Sequence, residues 1–233
     1  MKIMVFNTQH CQSYITQKID FELIADVIKN SGADVVGLNE IRGKGLSPDY
    51  EDQTAILSSL SGMEHSFFAP AIFVRGTEPY GNSLLSKYSI VQSEIIAVPD
   101  PITKNMGKHY ETRCLLKAKL SCGLTVLVIH FGLNPDEQEN AVKTVIENLE
   151  SEKCLLMGDF NVTPDNKVLS PIRERMRDAA ELFASPLLSF PSDFPTEKID
   201  YIFATPDIEI ISADIPPIVA SDHRPHTAEI RYE

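Results

Sequence analysis

Residues 154–161 read Cys-Leu-Leu-Met-Gly-Asp-Phe-Asn, an apolar run that ends in a glycine and is followed by a carboxylate and a carboxamide. The run predicts a buried strand. Alternation along an extended backbone places Asp159 and Asn161 on the same face, at the C-terminal end of that strand. A carboxylate can handle a proton or a metal, and an amide can hold an oxyanion. A Gly-Asp turn with a purely conformational role explains these residues equally well. Residues at the other strand ends are therefore needed to choose between a turn and a functional site.

The composition indicates a globular protein without linkers. The chain has 233 residues, of which 43% are hydrophobic, and it lacks Gly/Ser tracts, low-complexity segments and internal repeats. A chain of this length folded as one unit buries roughly 70–75% of its unfolded surface, which is enough for a substantial core. We therefore expect a single domain over residues 1–233.

The charge is strongly acidic, with 33 acidic against 21 basic side chains and a formal net charge of -12. Such a protein repels polyanions at long range, which disfavours tight non-specific binding to duplex nucleic acid. Part of the acidity can also be carboxylate that binds a divalent metal ion.

The sequence also bears on location. Its four cysteines show no metal-type spacing, which indicates reduced and buried thiols. A strand begins at once with residues 2–6, without the pattern of a signal peptide, and no stretch is apolar for long enough to cross a bilayer. We expect a cytoplasmic monomer that makes no stable insertion into membranes.

The remaining pattern predicts helices among many strands. One helix begins at the cap Asp20 and stops at Gly32, and another begins at Asn134, with Pro135 and Glu137 completing a capping box, and runs to about residue 150. Further helices are predicted over 50–60 and around 172–183, and strands over 2–7, 34–38, 66–69, 71–74, 82–86, 91–98, 113–120, 124–130, 199–204, 208–212 and 227–232. This order favours an α+β fold of two packed sheets flanked by helices.

Polar residues close or follow the apolar strands at several points along the chain. They are Asn7, Glu40, His130, Asp159 with Asn161, Asp200, and the pair Asp222-His223 ahead of the last strand. Polar strand ends of a packed sheet can converge on one rim, where binding and catalytic sites are commonly built. The set therefore predicts a site at one end of the sheets.

Seven motifs carry a resemblance to a known family. They are Phe6-Asn7, Gly37-Leu38-Asn39-Glu40, Tyr80-Gly81-Asn82-Ser83-Leu84-Leu85-Ser86, Ile129-His130-Phe131-Gly132-Leu133, Gly158-Asp159-Phe160-Asn161, Lys198-Ile199-Asp200-Tyr201-Ile202-Phe203 and Ser221-Asp222-His223-Arg224-Pro225. In this order the chain resembles the endonuclease/exonuclease/phosphatase superfamily of divalent-metal phosphohydrolases, and most of all its compact bacterial members. The resemblance implies a four-layered α/β/β/α sandwich, with two mixed β-sheets flanked by helices and the site at one end of the sheets.

The resemblance implies a metal side of this site. Glu40 is the expected principal ligand of Mg²⁺ or Mn²⁺, and Asn7 and Asp222 complete an oxygen-rich site of the kind these ions prefer. Tyr80 and Asn82 match the family segment that contacts the substrate phosphate, although Gly81-Asn82 is also a good turn by itself.

The other motif residues are expected to act on the proton and the phosphate. His223 is the expected catalytic imidazole, oriented and made more basic by Asp200, as a carboxylate supports histidine in hydrolytic triads. Asp159 is expected to orient or deprotonate the attacking water, or to protonate the leaving oxygen. Asn161 and His130 are expected to hydrogen-bond the scissile phosphate and the charge that develops on it.

The implied reaction is metal-assisted hydrolysis of a phosphoester, most specifically a phosphodiester, by in-line attack of an activated water. Ile41-Arg42 stands where abasic-site endonucleases have Thr-Lys, and the only dense basic run, 173–177, reads as a solvated helix face. These features disfavour abasic-site repair. We expect a small-molecule or short, single-stranded phosphodiester substrate. A metal-dependent nuclease acting on DNA or RNA is the main alternative, and an inactive binding module is a remote one because every motif position is present.

Overall fold

Two six-stranded sheets form the body of the molecule in the computed structural model, which describes residues 1–233. The strands are β1 Lys2–Asn7, β2 Val35–Arg42, β3 His65–Val74, β4 Glu78–Ser86, β5 Ile90–Ala97, β6 Cys114–Leu120, β7 Thr125–His130, β8 Cys154–Asp159, β9 Arg177–Asp178, β10 Asp200–Ala204, β11 Glu209–Asp214 and β12 His226–Arg231. The helices are α1 Phe21–Ser31, α2 Gln53–Ser61, α3 Pro135–Asn148 and α4 Ser170–Arg173, with short 3₁₀ turns at Gln9–Cys11, Lys167–Leu169 and Ala179–Leu182.

Both sheets are mixed. The first has the strand order β11-β12-β1-β2-β4-β3, and the second has the order β5-β6-β7-β8-β10-β9. Each sheet contains one parallel pair at its centre, β1 with β2 and β7 with β8, and the other pairs of strands are antiparallel. In the parallel pairs Asn7 lies beside Asn39 and His130 lies beside Asp159. The polar strand ends therefore lie level with one another.

Three apolar clusters hold four layers together. The central cluster fills the space between the sheets, where Val5 of the first sheet and Val128 and Met157 of the second sheet are fully buried. A second cluster packs α1 and α2 onto the outer face of the first sheet, and a third packs α3 onto the outer face of the second. The predicted α/β/β/α sandwich of two mixed sheets is confirmed. The expectation of a single domain over residues 1–233 stays a prediction.

The predicted helix boundaries with the clearest signals are confirmed. The Asp20 side chain accepts a hydrogen bond from the main-chain nitrogen of Leu23 at 2.9 Å, and Gly32 ends α1 in the left-handed conformation at φ 70°. Asn134 and Glu137 form the capping box of α3, which ends two residues earlier than expected.

Other boundaries differ from the predictions. The second helix begins at Gln53, because Asp52 caps it by accepting a hydrogen bond from the main-chain nitrogen of Ala55 at 3.0 Å. The two short strands predicted over 66–74 are one strand, β3, which continues past Pro70 with a shift in register. The region around 172–183 is only briefly helical, because residues 177–178 pair with β10 instead. No helix combines the length and the apolar character needed to cross a membrane.

The stretch 154–161 lies at the centre of the second sheet. Strand β8 is bonded to β7 on one side and to β10 on the other, and every one of its residues is buried. A Cβ atom at Gly158 would lie 1.7 Å from the main-chain oxygen of Ile129, so only glycine fits before Asp159. Gly37 has a similar role between the sheets, since a Cβ there would lie 2.6 Å from Met157 Sδ.

Candidate active site

The polar strand ends meet at one end of the sandwich. Asn7 and Glu40 come from the first sheet, whereas His130 and Asp159 come from the second. Strand β10 runs antiparallel to β8, so its first residue, Asp200, pairs with Asp159. Asp222 and His223 reach the same place from the loop before β12. The structure therefore brings together residues that are far apart in the chain.

Asn7 connects the two sheets at the floor of the site. Its side-chain nitrogen donates to Glu40 Oε1 at 3.1 Å and to Asp159 Oδ2 at 3.0 Å. Its side-chain oxygen accepts a hydrogen bond from the main-chain nitrogen of Gln9 at 3.1 Å. In this geometry Asn7 therefore positions two carboxylates, and the oxygen that a metal ion would bind is directed at Gln9.

Glu40 is held in an unusual conformation. It has a φ of 60°, and it lies where the register of β2 against β4 shifts between Leu38 and Ile41. Such a bulge redirects a side chain at the edge of a site. Burial would raise the pKa of Glu40, but the neighbouring His130 and the hydrogen bond from Asn7 hold it below its usual value. Glu40 is therefore an ionised carboxylate.

Asp159 lies between two imidazoles and is only 1% exposed. Its Oδ2 lies 3.3 Å from His130 Nε2 and 3.6 Å from His223 Nε2, and its Oδ1 accepts from the main-chain nitrogen of Asn161 at 2.9 Å. Burial would raise the pKa of Asp159, but the two histidines and the hydrogen bonds outweigh burial and lower it. Asp159 is therefore held as a buried anion.

Asp200 and His223 form a buried pair, with Oδ2 of the carboxylate 2.8 Å from Nδ1 of the imidazole. Burial would lower the pKa of His223, but the charges of Asp200 and Asp159 raise it to about 10. The ring of Phe190 lies 4.8 Å from the imidazole and covers it. The imidazole therefore keeps its proton near neutral pH and directs Nε2 toward Asp159.

His130 has further partners on the other side of the site. The side-chain nitrogen of Asn161 lies 3.0 Å from His130 Nε2 and also donates to the main-chain oxygen of Phe131 at 3.0 Å. Arg113, which forms an ion pair with Glu111, places Nη1 3.3 Å from His130 Nδ1. Sequence reasoning missed this contact of Arg113, although its place just before β6, the partner of β7, is a signal for it.

Tyr80 and Asn82 separate in the structure. Tyr80 lies close enough to Glu40 to feel its charge, and burial together with that charge raises the pKa of Tyr80 well above its ordinary value. Asn82 is 2% exposed, and its amide is engaged by Asn39 and by the main-chain oxygen of Cys114. Tyr80 therefore lies in the site, whereas Asn82 lies beneath it and does not offer its amide to a substrate.

The donors on the Glu40 side fit a hard divalent ion. Burial raises the pKa of Asp222, and repulsion by the charges of Glu40 and Asp159 adds to this rise, whereas the nearby His223 opposes it. A bound cation offsets such repulsion, and oxygen donors suit Mg²⁺ or Mn²⁺. Asp159, Asp200 and His223 also cluster within 4.8 Å. That cluster is the poorer fit, because the imidazole of His223 already bonds Asp200 and holds its proton.

Comparisons with known proteins agree with this geometry. A family model described as "Endonuclease/Exonuclease/phosphatase family" matches residues 4–223. No curated protein sequence matches the chain.

Solved structures of similar fold cover the whole chain. An endonuclease/exonuclease/phosphatase from Beutenbergia cavernae is 22% identical over 100% of this chain and 71% of its own, with a TM-score of 0.82. One from Bacteroides vulgatus is 21% identical over 100% and 98%, with a TM-score of 0.78. A mannosyl-6-phosphatase from Bacteroides thetaiotaomicron is 15% identical over 100% of both chains, with a TM-score of 0.76. At these identities the likeness shows the fold.

Proposed function

Because the chain belongs to the endonuclease/exonuclease/phosphatase family, whose members are phosphoester hydrolases, we propose that it is a divalent-metal-dependent phosphodiesterase. The observation that carries this proposal is an unbroken series of short polar contacts. The series runs from Asp200 through His223 and Asp159 to Asn7 and Glu40. It joins a group that holds a proton to a group that suits a metal ion, a combination that supports metal-assisted hydrolysis of a phosphoester.

The metal side of the proposal rests on Glu40 and Asp222. These carboxylates would hold Mg²⁺ or Mn²⁺, and Asn7 would complete the site if its amide turned its oxygen away from Gln9. When bound, such an ion supplies Lewis acidity to the phosphoryl oxygens. Glu40 is ready for this role because the nearby His130 and the hydrogen bond from Asn7 keep it ionised in spite of its burial.

The proton side assigns different parts to Asp159 and His223. Asp159 is an anion near neutral pH, so it orients the attacking water by accepting its hydrogen bond, while its lowered pKa makes it a weak base. His223 is protonated, so it donates a hydrogen bond to the charge that develops on the phosphate. Asp200 holds the imidazole in place through Nδ1. In the alternative role, Asp159 protonates the leaving oxygen, which requires a raised pKa. The pKa of Asp159 is instead lowered, so the structure disfavours this alternative.

The phosphate itself would lie among donors from the second sheet. Asn161 and His130 stand beside Asp159, and Arg113 contributes a guanidinium next to His130. Tyr80 closes the other side through its hydroxyl. A substrate with a small or single-stranded phosphodiester suits the strongly acidic chain better than a long duplex does. The cytoplasmic location and the monomeric state expected from the sequence stay predictions.

Turnover of contrasting phosphoesters tests the proposal. Bis(4-nitrophenyl) phosphate, single-stranded oligonucleotides, plasmid DNA, phospholipid head groups and 4-nitrophenyl phosphate are assayed with Mg²⁺ or Mn²⁺, and Asp159→Asn serves as the blank. We expect metal-dependent cleavage of the small diester, with kcat reduced about 10²- to 10⁴-fold in the variant. A variant that retains wild-type turnover would contradict the proposal. Preferred cleavage of plasmid favours the nuclease alternative, and inertness toward all substrates favours the binding module.

A further inference from the structure

Two buried amides cross between the sheets directly below the candidate active site. Asn39 is 0% exposed and Asn82 is 2% exposed. The side-chain nitrogen of Asn39 donates to Asn82 Oδ1 at 2.8 Å, and that of Asn82 donates to the main-chain oxygen of Cys114 at 3.0 Å. Asn39 and Asn82 belong to the first sheet, whereas Cys114 belongs to the second. The pair therefore ties the two sheets together.

Asn39 also bonds the strand that carries Asp159. Its side-chain oxygen accepts from the main-chain nitrogen of Asp159 at 2.9 Å, and its side-chain nitrogen donates to the main-chain oxygen of Ile129 at 3.0 Å. The side-chain oxygen and nitrogen of Asn39 are thus both engaged, and of the three strands that they reach, β7 and β8 end at the site. A fully satisfied buried network of this kind rigidifies its surroundings.

The position of Asn39 gives these bonds a consequence for the site. Asn39 immediately precedes Glu40 in the bulge of β2, and it lies beside Asn7 in the parallel register. One residue therefore fixes the backbone of Glu40 through the chain and the backbone of Asp159 through its amide. We propose that Asn39 and Asn82 are positioning residues that set the separation of Glu40 from Asp159, an inference that rests on the proposed function.

Replacement of each amide with alanine tests the proposal. We expect Asn39→Ala to lower kcat toward the diester about 10- to 100-fold and to weaken Mn²⁺ binding by a similar factor, because partners behind a site contribute on this scale. Asn82→Ala removes the bond from Asn39 to Asn82 and the bond from Asn82 to Cys114, but it keeps the bonds of Asn39 to Ile129 and Asp159, so a smaller loss in the same two quantities is expected. The second variant keeps the test decisive if Asn39→Ala does not fold.

Thr205→Val is the matched control. Thr205 is 2% exposed, and its hydroxyl accepts a hydrogen bond from the main-chain nitrogen of Cys154 at 3.0 Å, at the opposite end of the same strand β8. The Thr205→Val substitution therefore removes a buried hydrogen bond of the same kind, far from the candidate active site. We expect the control to lower the melting temperature as the Asn variants do, while kcat and Mn²⁺ affinity stay at wild-type values.

A double variant distinguishes positioning from a general loss of stability. If Asn39 acts through Asp159, then Asn39→Ala costs little further kcat in the Asp159→Asn background, because the two effects are not additive. Additive losses, or an Asn39 variant with wild-type kcat and Mn²⁺ affinity, would overturn the proposal.

Calorimetry with MnCl₂ separates this proposal from the proposed function. A wild-type protein that binds Mn²⁺ but cleaves no diester overturns the function, and weaker binding in Asn39→Ala than in Thr205→Val then still supports positioning. A wild-type protein that neither binds Mn²⁺ nor cleaves any substrate overturns both proposals.

Discussion

His223 and His226 are three residues apart and contact the same aspartate, yet they differ in charge. Both are buried, at 4% and 0% exposure, and each lies beside a phenylalanine ring. His223 meets the carboxylate of Asp200 at 2.8 Å, whereas His226 meets the main-chain oxygen of Asp200 at 3.3 Å. Burial lowers the pKa of both, but only His223 has carboxylates that raise its pKa to about 10. The pKa of His226 stays well below its ordinary value.

Since both imidazoles are buried, the charged partner decides which of these two histidines is protonated near neutral pH. An imidazole against a carbonyl oxygen is a neutral part of the core, and one between two carboxylates holds a proton near neutral pH. Asp200 supports both arrangements with different atoms, which places a core residue and a candidate catalytic residue on neighbouring positions of one segment.

Replacement of His223 and of His226 with asparagine is expected to give the largest difference in activity between the two positions. Asparagine keeps a side-chain donor near Nδ1 but cannot hold the second proton of an imidazolium. We expect His223→Asn to lower kcat about 10³-fold, since the loss of a donor to the developing charge costs up to this much. His226→Asn is expected to remain within a few-fold of wild type. Steady-state kinetics on the small diester measures both, and equal losses would remove the distinction.

Removal of the Asp200 carboxylate is expected to give the second-largest effect on kcat. Asp200→Asn takes away the largest charge that raises the pKa of His223, so the imidazole loses its proton at a lower pH. We expect a loss in kcat of about 10²-fold, greater at pH 8 than at pH 6, measured as a pH–rate profile. Asp178→Asn is the control, because the Asp178 side chain is also buried but lies 3.9 Å from Lys198. An unchanged profile in Asp200→Asn would contradict the prediction.

The two histidines are expected to give opposite slopes of stability with pH. The pKa of His226 in the folded protein lies below the unfolded value of about 6.5. Its contribution to the free energy of unfolding is therefore lost as pH falls below 6.5. The pKa of His223 in the folded protein lies above the unfolded value. Its contribution to the free energy of unfolding is therefore present below pH 6.5 and lost as pH rises toward 10. We expect slopes of at most about 1.4 kcal/mol per pH unit in urea unfolding without metal.

The variants His226→Asn and His223→Asn show which histidine causes which slope of stability with pH. His226→Asn is expected to flatten the acid side of the stability curve between pH 5 and 6.5, and His223→Asn is expected to flatten the side above pH 6.5. A variant that keeps the wild-type slope on its own side would show that the histidine does not titrate as the structure indicates.

The smallest expected effect comes from a neighbouring lysine. Lys198 is 4% exposed and donates to the main-chain oxygen of Asp200 at 3.1 Å. Its charge adds to burial in lowering the pKa of His226, so Lys198→Met is expected to raise that pKa. NMR titration of the imidazole resonances measures the change, with His223 in the same spectrum as the internal control. A fall in the pKa of His226 would contradict the expectation.

Much of the fold was predictable because its signals are local. The caps of α1 and α3 depend on Asp20, Gly32 and the Asn134–Glu137 box, which lie within a few residues of the helices that they end. The backbone of residues 9–11 was not predictable, because three successive non-glycine residues adopt positive φ there. No local pattern favours that conformation, and contacts with other parts of the chain must hold it.

The candidate site was predictable in its members and less so in its arrangement. Asn7, Glu40, Asp159, Asp200 and His223 were named from strand ends, and the structure places them in contact. The sequence did not reveal that Asn82 lies beneath the site, that Arg113 reaches His130 or that Asn39 bonds Asp159. Each of these contacts joins residues between 17 and 120 positions apart.

The amino-acid sequence is enough to show which residue types close each strand, where the principal helices begin and end, and which family the motifs resemble. The folded molecule is needed to show which amide donates a hydrogen bond to which carboxylate, and which of the two buried histidines carries a charge. The physical reason is distance. Propensity and capping act over a few residues, whereas hydrogen bonds and charges in a buried site depend on ångström separations between strands that the chain connects only through the whole fold.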